Sequence, residues 1–197
     1  VKFDPIQQSF FGRDPAIVAR ELLGMILCRR NRQGLAAGRI VETEAYLAKG
    51  DSASHSFRGL GRKSASMFAP AVTSQVCTIH ARQCFNVVTE MPGVGSVVLI
   101  RAIQPLHGIP LMQQRRGIVN SHDLCSSPAR LCQALDIGRK FGGWNLLQGR
   151  QLWIAGPTDN STASSIGTSQ RIGVTSNTDM LLRFLRKIAH SSAARNA

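Results

Sequence analysis

The sequence predicts a mixed α+β fold in a single domain, 1–197, and three observations carry that expectation. Two stretches hold helix-start signals, Asp14-Pro15 and Ser126-Ser127-Pro128, each followed by apolar residues in helical register. Several short apolar runs are bounded by Gly, Pro and Asn, which is strand and turn punctuation. The 197 residues show no internal repeat and no clean boundary, and that length suffices for one substantial core.

The elements follow in order. "RDPAIVARELLG" reads as a helix capped by Asp14, with Pro15 at its first position and Gly24 at its stop. "MILCRR" reads as a strand, and a turn at 31–34 leads to a longer strand over 38–47. Residues 48–66 are small, polar and basic, a loop composition. "CFNVV" and "SVVLIRAIQP" read as two further strands joined through "TEMPGVG". "SSPARLCQALDI" reads as a helix capped by Ser126 or Ser127, and "GRKFGGWN" as a second basic loop. The Ser/Thr-rich 158–170 is expected to be mobile and 170–197 peripheral, with "MLLRFLRKIAHSS" open between strand and helix.

Composition narrows the function classes. Twenty-four Lys and Arg against eleven acids give a net charge of +13, the footprint of a polyanion binder. At 43 % hydrophobic the chain is no disordered basic tail. No apolar run approaches the roughly 18 residues of a membrane span, so no membrane association is expected. The first residues lack the apolar centre of a secretory signal, and without an initiator Met an upstream segment is expected. Five cysteines and no CxxC pair suit a reducing compartment rather than a disulfide framework. Cys77, His80, Cys84, His122 and Cys125 could in principle supply zinc ligands, but their spacing is unlike common finger patterns and no metal is expected.

Within the 38–47 strand, alternation puts Ile40, Glu42, Glu44 and Tyr46 on one face and Val41, Thr43, Ala45 and Leu47 on the other. Arg101 interrupts an apolar strand, where an unpaired charge is costly, so Glu42 or Glu44 is its natural partner.

"RELLGMILCRR", "GRIVETEAYLAKGDSASHS", "CFNVVTE", "VVLIRAIQPLHG", "LCSSPARLCQAL" and "RIGV" occur together and in order, and on them the chain resembles the alkyladenine (3-methyladenine) DNA glycosylase family over most of its length. The resemblance implies a curved, mostly antiparallel sheet surrounded by helices, with a protruding β-hairpin. It implies a monofunctional enzyme of base-excision repair. Such an enzyme flips alkylated or deaminated purines out of duplex DNA and hydrolyses the N-glycosidic bond with water. By the same resemblance Glu44 activates the water, Arg101 orients the carboxylate, and the backbone carbonyl near Ile172 completes the water's cage. Tyr46 and His55 hold the flipped base, and Asn86 crowds the exocyclic amino group of guanine. No cofactor is implied. It implies double-stranded DNA as the partner of a monomer; from the residues themselves, Arg58, Arg62 and Lys63 among Gly and Ser, and the helix start at Ser127 with Arg130, are the expected backbone contacts. The compartment would be cytoplasm or nucleoid in a bacterium, nucleus or organelle in a eukaryote.

One segment departs from the pattern. "AVTSQVCTIHARQ", 71–83, lacks the family's tyrosines, and Tyr46 is the chain's only one. Counting back from Asn86 places the stacking position at Val76 and the wedge at Ile79. Losing an aromatic platform costs about 1–3 kcal/mol of stacking. The segment is a genuine variant, a decayed one or a local reading-frame error. Two other classes therefore stand beside the enzyme: a catalytically weakened homologue acting as a DNA-binding protein, and a basic RNA-associated protein.

Overall fold

The structure, a computed structural model, describes residues 2–62, 64–157 and 165–186. Its centre is a curled antiparallel sheet with strand order β3-β4-β5-β2-β1-β6. The strands are β1 (Ile26–Asn31), β2 (Gly34–Tyr46), β3 (Ser74–Ile79), β4 (Arg82–Val88), β5 (Val97–His107) and β6 (Leu152–Ala155). Two short strands complete it: β7 (Ile166–Ser169) pairs with β8 (Arg183–Arg186), and β8 pairs in turn with β2.

The long strand β2 organises everything else. Its first half pairs with β1 through a tight turn at Arg32 and Gln33, so it begins earlier than the sequence reading placed it. Past Gly24, where the φ of +96° turns the chain, β8 takes over the edge that β1 leaves, pairing with Glu42, Thr43 and Glu44. Along its other edge β2 pairs with β5, with register shifts at Ile40/Glu42 and Glu42/Thr43. Stepping from the Ile40–Ile103 pair to Glu42–Ala102 leaves Val41 over on β2; stepping on to Thr43–Ile100 leaves Arg101 over on β5. These bulges reverse the alternation. Ile40, expected beside Glu42 and Glu44, instead faces the main core with Ala45, and Glu42, Glu44 and Tyr46 alone share the opposite face. A bulge re-aims side chains in this way and increases local twist.

Helix α1 (Pro15–Glu21) forms as its signals require. The Asp14 carboxylate accepts from the Ala16 and Ile17 amides at 2.8 and 3.2 Å. Its buried Val18 and Ala19 join the main core, and Thr43 ties β2 to the helix by donating to the Ala19 carbonyl at 2.8 Å. Helix α3 (Pro128–Ala134) is capped by Ser127 and packs on β4 and β5. Helix α2 (Ile109–Arg116) packs on α3 and had no counterpart in the sequence reading, although Pro110 in its first turn and Gly117 at its end mark it. On the opposite face of the sheet Trp153, Ile26, Cys28 and Ala155 form a smaller cluster, with the Trp153 indole donating to the Phe3 carbonyl.

The end of the chain adds strands to the sheet. Within the Ser/Thr-rich stretch, Ile166–Ser169 is paired strand, while 158–164 lies outside the described residues. Of residues 170–186, Phe184 is in the main core and Arg171 is 5 % exposed, while the others are exposed or half-buried. The open 180–192 stretch is a strand at Arg183–Arg186, and its remainder lies outside the described residues. Among the described residues no helix is long and apolar enough to cross a membrane.

Candidate active site

Two carboxylates with no exposed surface lie at the end of β2, and their surroundings differ in one respect. Asp51 accepts four hydrogen bonds, two from Arg171 at 2.6 and 2.8 Å and one each from the Leu47 and Ala53 amides at 3.1 Å. Glu44 accepts three: its Oε1 from the Ile172 amide at 2.8 Å, its Oε2 from the Tyr46 hydroxyl at 2.9 Å and Arg101 Nη1 at 3.2 Å. A carboxylate has about four acceptor positions. Asp51 is therefore saturated, whereas among the described residues Glu44 keeps one position, on Oε1, untaken.

The bulge at Arg101 sets its guanidinium between two acids, with Nε donating to Glu42 at 2.9 Å and Nη1 to Glu44. Arg183 of β8 reaches Glu42 from the other side at 2.6 Å and also donates to Ser169. Glu42 thus bridges two arginines. Burial works against the Arg101 charge, but the adjacent Glu44 and Glu42 outweigh it and raise its pKa. The Tyr46 phenol is pushed up by burial first and by the Glu44 charge second, so it stays a hydrogen-bond donor.

Arg171, at the head of "RIGV", was not among the expected site residues. Besides Asp51 it donates to the Ala45 carbonyl at 3.1 Å and lies over the Tyr46 ring, 4.6 Å from its centre. It thereby seats the next residue's amide on Glu44. Burial opposes the charges of both partners, but their mutual hydrogen bonds prevail: Arg171 is raised and Asp51 lowered. The signal for this pair was present in the sequence, since Asp51 falls inside the quoted "GDSASHS" and acids are scarce. The Ile172 contact with Glu44 is made by its N–H, where the expectation concerned its carbonyl.

In front of this network lies a cavity of about 280 Å³ lined by β2, β3, β4, β5 and the 173–176 segment. Tyr46, His55, Asn86 and Ile79 all line it, so four separated sequence blocks converge. Glu44 and Arg101 do not reach its surface. They lie directly behind it, because Leu99, the register partner of Glu44, and Gly173, next to Ile172, are lining residues. Val76 is displaced from its expected place. Alternation along β3 turns Gln75, Cys77 and Ile79 to the cavity and Val76 to the main core, so Cys77, next to Val76, faces the cavity instead. Cys77 pairs across the strands with Cys84, also at the cavity, and the Cys84 thiol is the chief influence lowering Cys77 to about 7. Among the described residues no group of three or more metal-binding side chains assembles, and Cys125 is buried near Met112.

Of the backbone-contact candidates, Arg58 and Arg62 are exposed in the loop that carries His55, and Lys63 lies outside the described residues. Ser127 caps α3, its hydroxyl accepting from the Arg130 amide at 3.4 Å. Arg130 pairs with Asp123 at 2.9 Å and borders a shallow basin with Arg82 and Arg116, beside the β3–β4 turn.

A curled antiparallel sheet with a buried carboxylate–arginine network behind a cavity defines a class of site, and comparison with known proteins names the family. A family profile described as "Methylpurine-DNA glycosylase (MPG)" matches residues 9–189. A protein of Mesorhizobium japonicum is 41 % identical over 181 residues, 91 % of this chain and 86 % of that protein. One of Rhodopirellula baltica is 44 % identical over 184 residues, 91 % of this chain and 78 % of that protein. One of the archaeon Methanoculleus marisnigri is 41 % identical over 182 residues, 91 % of this chain and 93 % of that protein. All three are named "Putative 3-methyladenine DNA glycosylase". The chain belongs to the methylpurine-DNA glycosylase family.

Proposed function

We propose that the protein is a monofunctional DNA glycosylase that flips a damaged purine into the cavity and hydrolyses its N-glycosidic bond with a water activated by Glu44. The observation that carries the reading is the contrast between the two buried carboxylates: Asp51 is saturated, and Glu44 has one acceptor position left. A water donating to that position would pass its proton to Glu44 as its oxygen bonds to the sugar carbon. The base departs with the electrons of the broken C–N bond. Arg101, Tyr46 and the Ile172 amide fix the carboxylate, which supplies orientation as well as proton transfer. The buried Glu44 carboxylate also favours the positive charge developing on the sugar.

Base flipping follows from access, since a purine inside the stack cannot enter a cavity of this kind. Tyr46, backed by Arg171, offers a stacking face; Ile79, 41 % exposed at the cavity rim, serves as the wedge. The net charge of +13 draws the phosphate backbone, so affinity should fall steeply with salt. The monofunctional reading rests on the network around Glu44, in which no amine stands among the described residues.

The test is single-turnover base release from duplexes carrying hypoxanthine or an alkylated adenine, wild type beside Glu44→Gln. Release should drop by about 10²–10⁴-fold in the variant. Wild-type rates in the variant would remove Glu44 from the chemistry. One observation favours the second reading, a DNA-binding homologue with weakened excision: Cys77 stands where the cavity would take an aromatic ring. That reading predicts lesion binding by wild type with no base released.

A further inference from the structure

The wall contributed by β3 and β4 holds a pair of side-chain amides whose orientation is determined. Asn86 Nδ2 lies 2.6 Å from Gln75 Oε1 and 3.2 Å from the Gln75 carbonyl oxygen. A backbone carbonyl can only accept, so the Asn86 atom facing it is the nitrogen, and the Gln75 atom facing that nitrogen is the oxygen. Two groups are left over: the Gln75 Nε2 donors and the Asn86 Oδ1 acceptor. Among the described residues neither meets an oxygen or nitrogen partner, and the only further group the Gln75 amide addresses is the Cys77 sulfur. Both residues line the cavity while being only 3 % and 5 % exposed overall, and neither leftover atom is sealed within protein. Buried polar groups are held where they have partners, so a donor and an acceptor left over on one cavity wall point to a ligand.

We infer that Gln75 is a specificity-determining residue, its Nε2 donating to an acceptor on the flipped purine while Asn86 Oδ1 accepts from an adjacent N–H. The inference rests on the glycosylase reading and names its substrate class, a purine whose six-membered ring carries an acceptor beside a donor. Deaminated adenine presents such an edge as O6 and N1–H. Stacking on Tyr46 accepts any purine, so the amide pair is what distinguishes one edge from another.

The experiment compares hypoxanthine with unsubstituted purine, which has neither O6 nor N1–H, placed at one position of the same duplex. Base release and duplex affinity are measured for wild type and Gln75→Leu. The expected result is a fall of about tenfold in the preference for hypoxanthine over purine, the worth of one hydrogen bond. An equal fall for both bases would show that Gln75 only supports the wall, and an unchanged preference would show that it does not touch the base; either overturns the inference. Should wild type release neither base, the glycosylase reading fails. The inference is then decided by the affinities alone: a preference for hypoxanthine lost in Gln75→Leu upholds it, and no preference in wild type overturns it.

Discussion

The two walls of the cavity are built on different principles. Behind Tyr46, the β2–β5 wall is a closed set of charges. Glu42, Glu44 and Asp51 are matched by Arg101, Arg183 and Arg171, and each partner is held from at least two directions. Among the described residues the β3–β4 wall places no Asp, Glu, Lys or Arg at the cavity. It offers two amides, two thiols and Ile79, and it ends in a turn where His80 and Ala81 both take positive φ, 46° and 62°. A network of buried ions tolerates almost no substitution, because removing one partner strands the other. An amide-and-thiol wall tolerates many. The β2–β5 wall is built from the quoted stretches "ETEAY" and "LIRA", whereas β3 lies wholly within 71–83, the stretch that carries none of the quoted motifs.

That contrast can be broken most severely at Arg171. Arg171→Met strands a fully buried Asp51 and should cost about 3–5 kcal/mol of stability, measured by denaturant unfolding. Asp51→Asn tests the same link by pH. The folded Asp51 pKa is depressed below its ordinary 3.8, so its contribution is complete above that value and is lost as pH falls through the lower folded one. The stability gap between wild type and Asp51→Asn should therefore be flat at neutral pH and close in acid. A gap that widened in acid would contradict the pairing.

On the other wall the expected effects are smaller. Cys77 should be alkylated by iodoacetamide at neutral pH well ahead of Cys28, Cys125 and Cys132, whose thiols burial pushes up to about 12. Peptide mapping reads the order, and labelling Cys28 first would sink the assignment. Ile79→Ala leaves the wall folded and should weaken capture of a flipped base several-fold, seen as a higher half-saturating enzyme concentration in single-turnover release. The smallest effect is a gain. His80→Asn combined with Ala81→Gly puts residues suited to positive φ in the two-residue turn and should stabilise the protein by about 1 kcal/mol. No gain would mean that the strain is relieved elsewhere.

Much of this was legible in the chain. Asp14-Pro15 and Ser127-Pro128 marked helix starts because capping is local chemistry, settled within four residues. Arg101 announced an acidic partner because a charge in an apolar strand cannot be left alone. Glu44 and Tyr46 were neighbours on one face by simple alternation. What failed was anything that alternation had to carry across an irregularity. Ile40 was placed with the acids because nothing in "GRIVETEAY" shows that Val41 is a bulge. Val76 was taken for the stacking position because counting back from Asn86 does not show which way β3 turns its faces.

The sequence by itself determined the helix caps, the acid–tyrosine face, the charge that seeks polyanions and the family, since these depend on near neighbours or on ordered motifs. Only the tertiary structure decided that Arg171, 120 residues from Asp51, locks the Ile172 amide onto Glu44, and that Gln75 holds Asn86 with a donor to spare. The physical reason is that burial and pairing belong to places in the fold. A carboxylate becomes structural or chemical by how many of its acceptor positions the fold fills, and that number is written in no single stretch of chain.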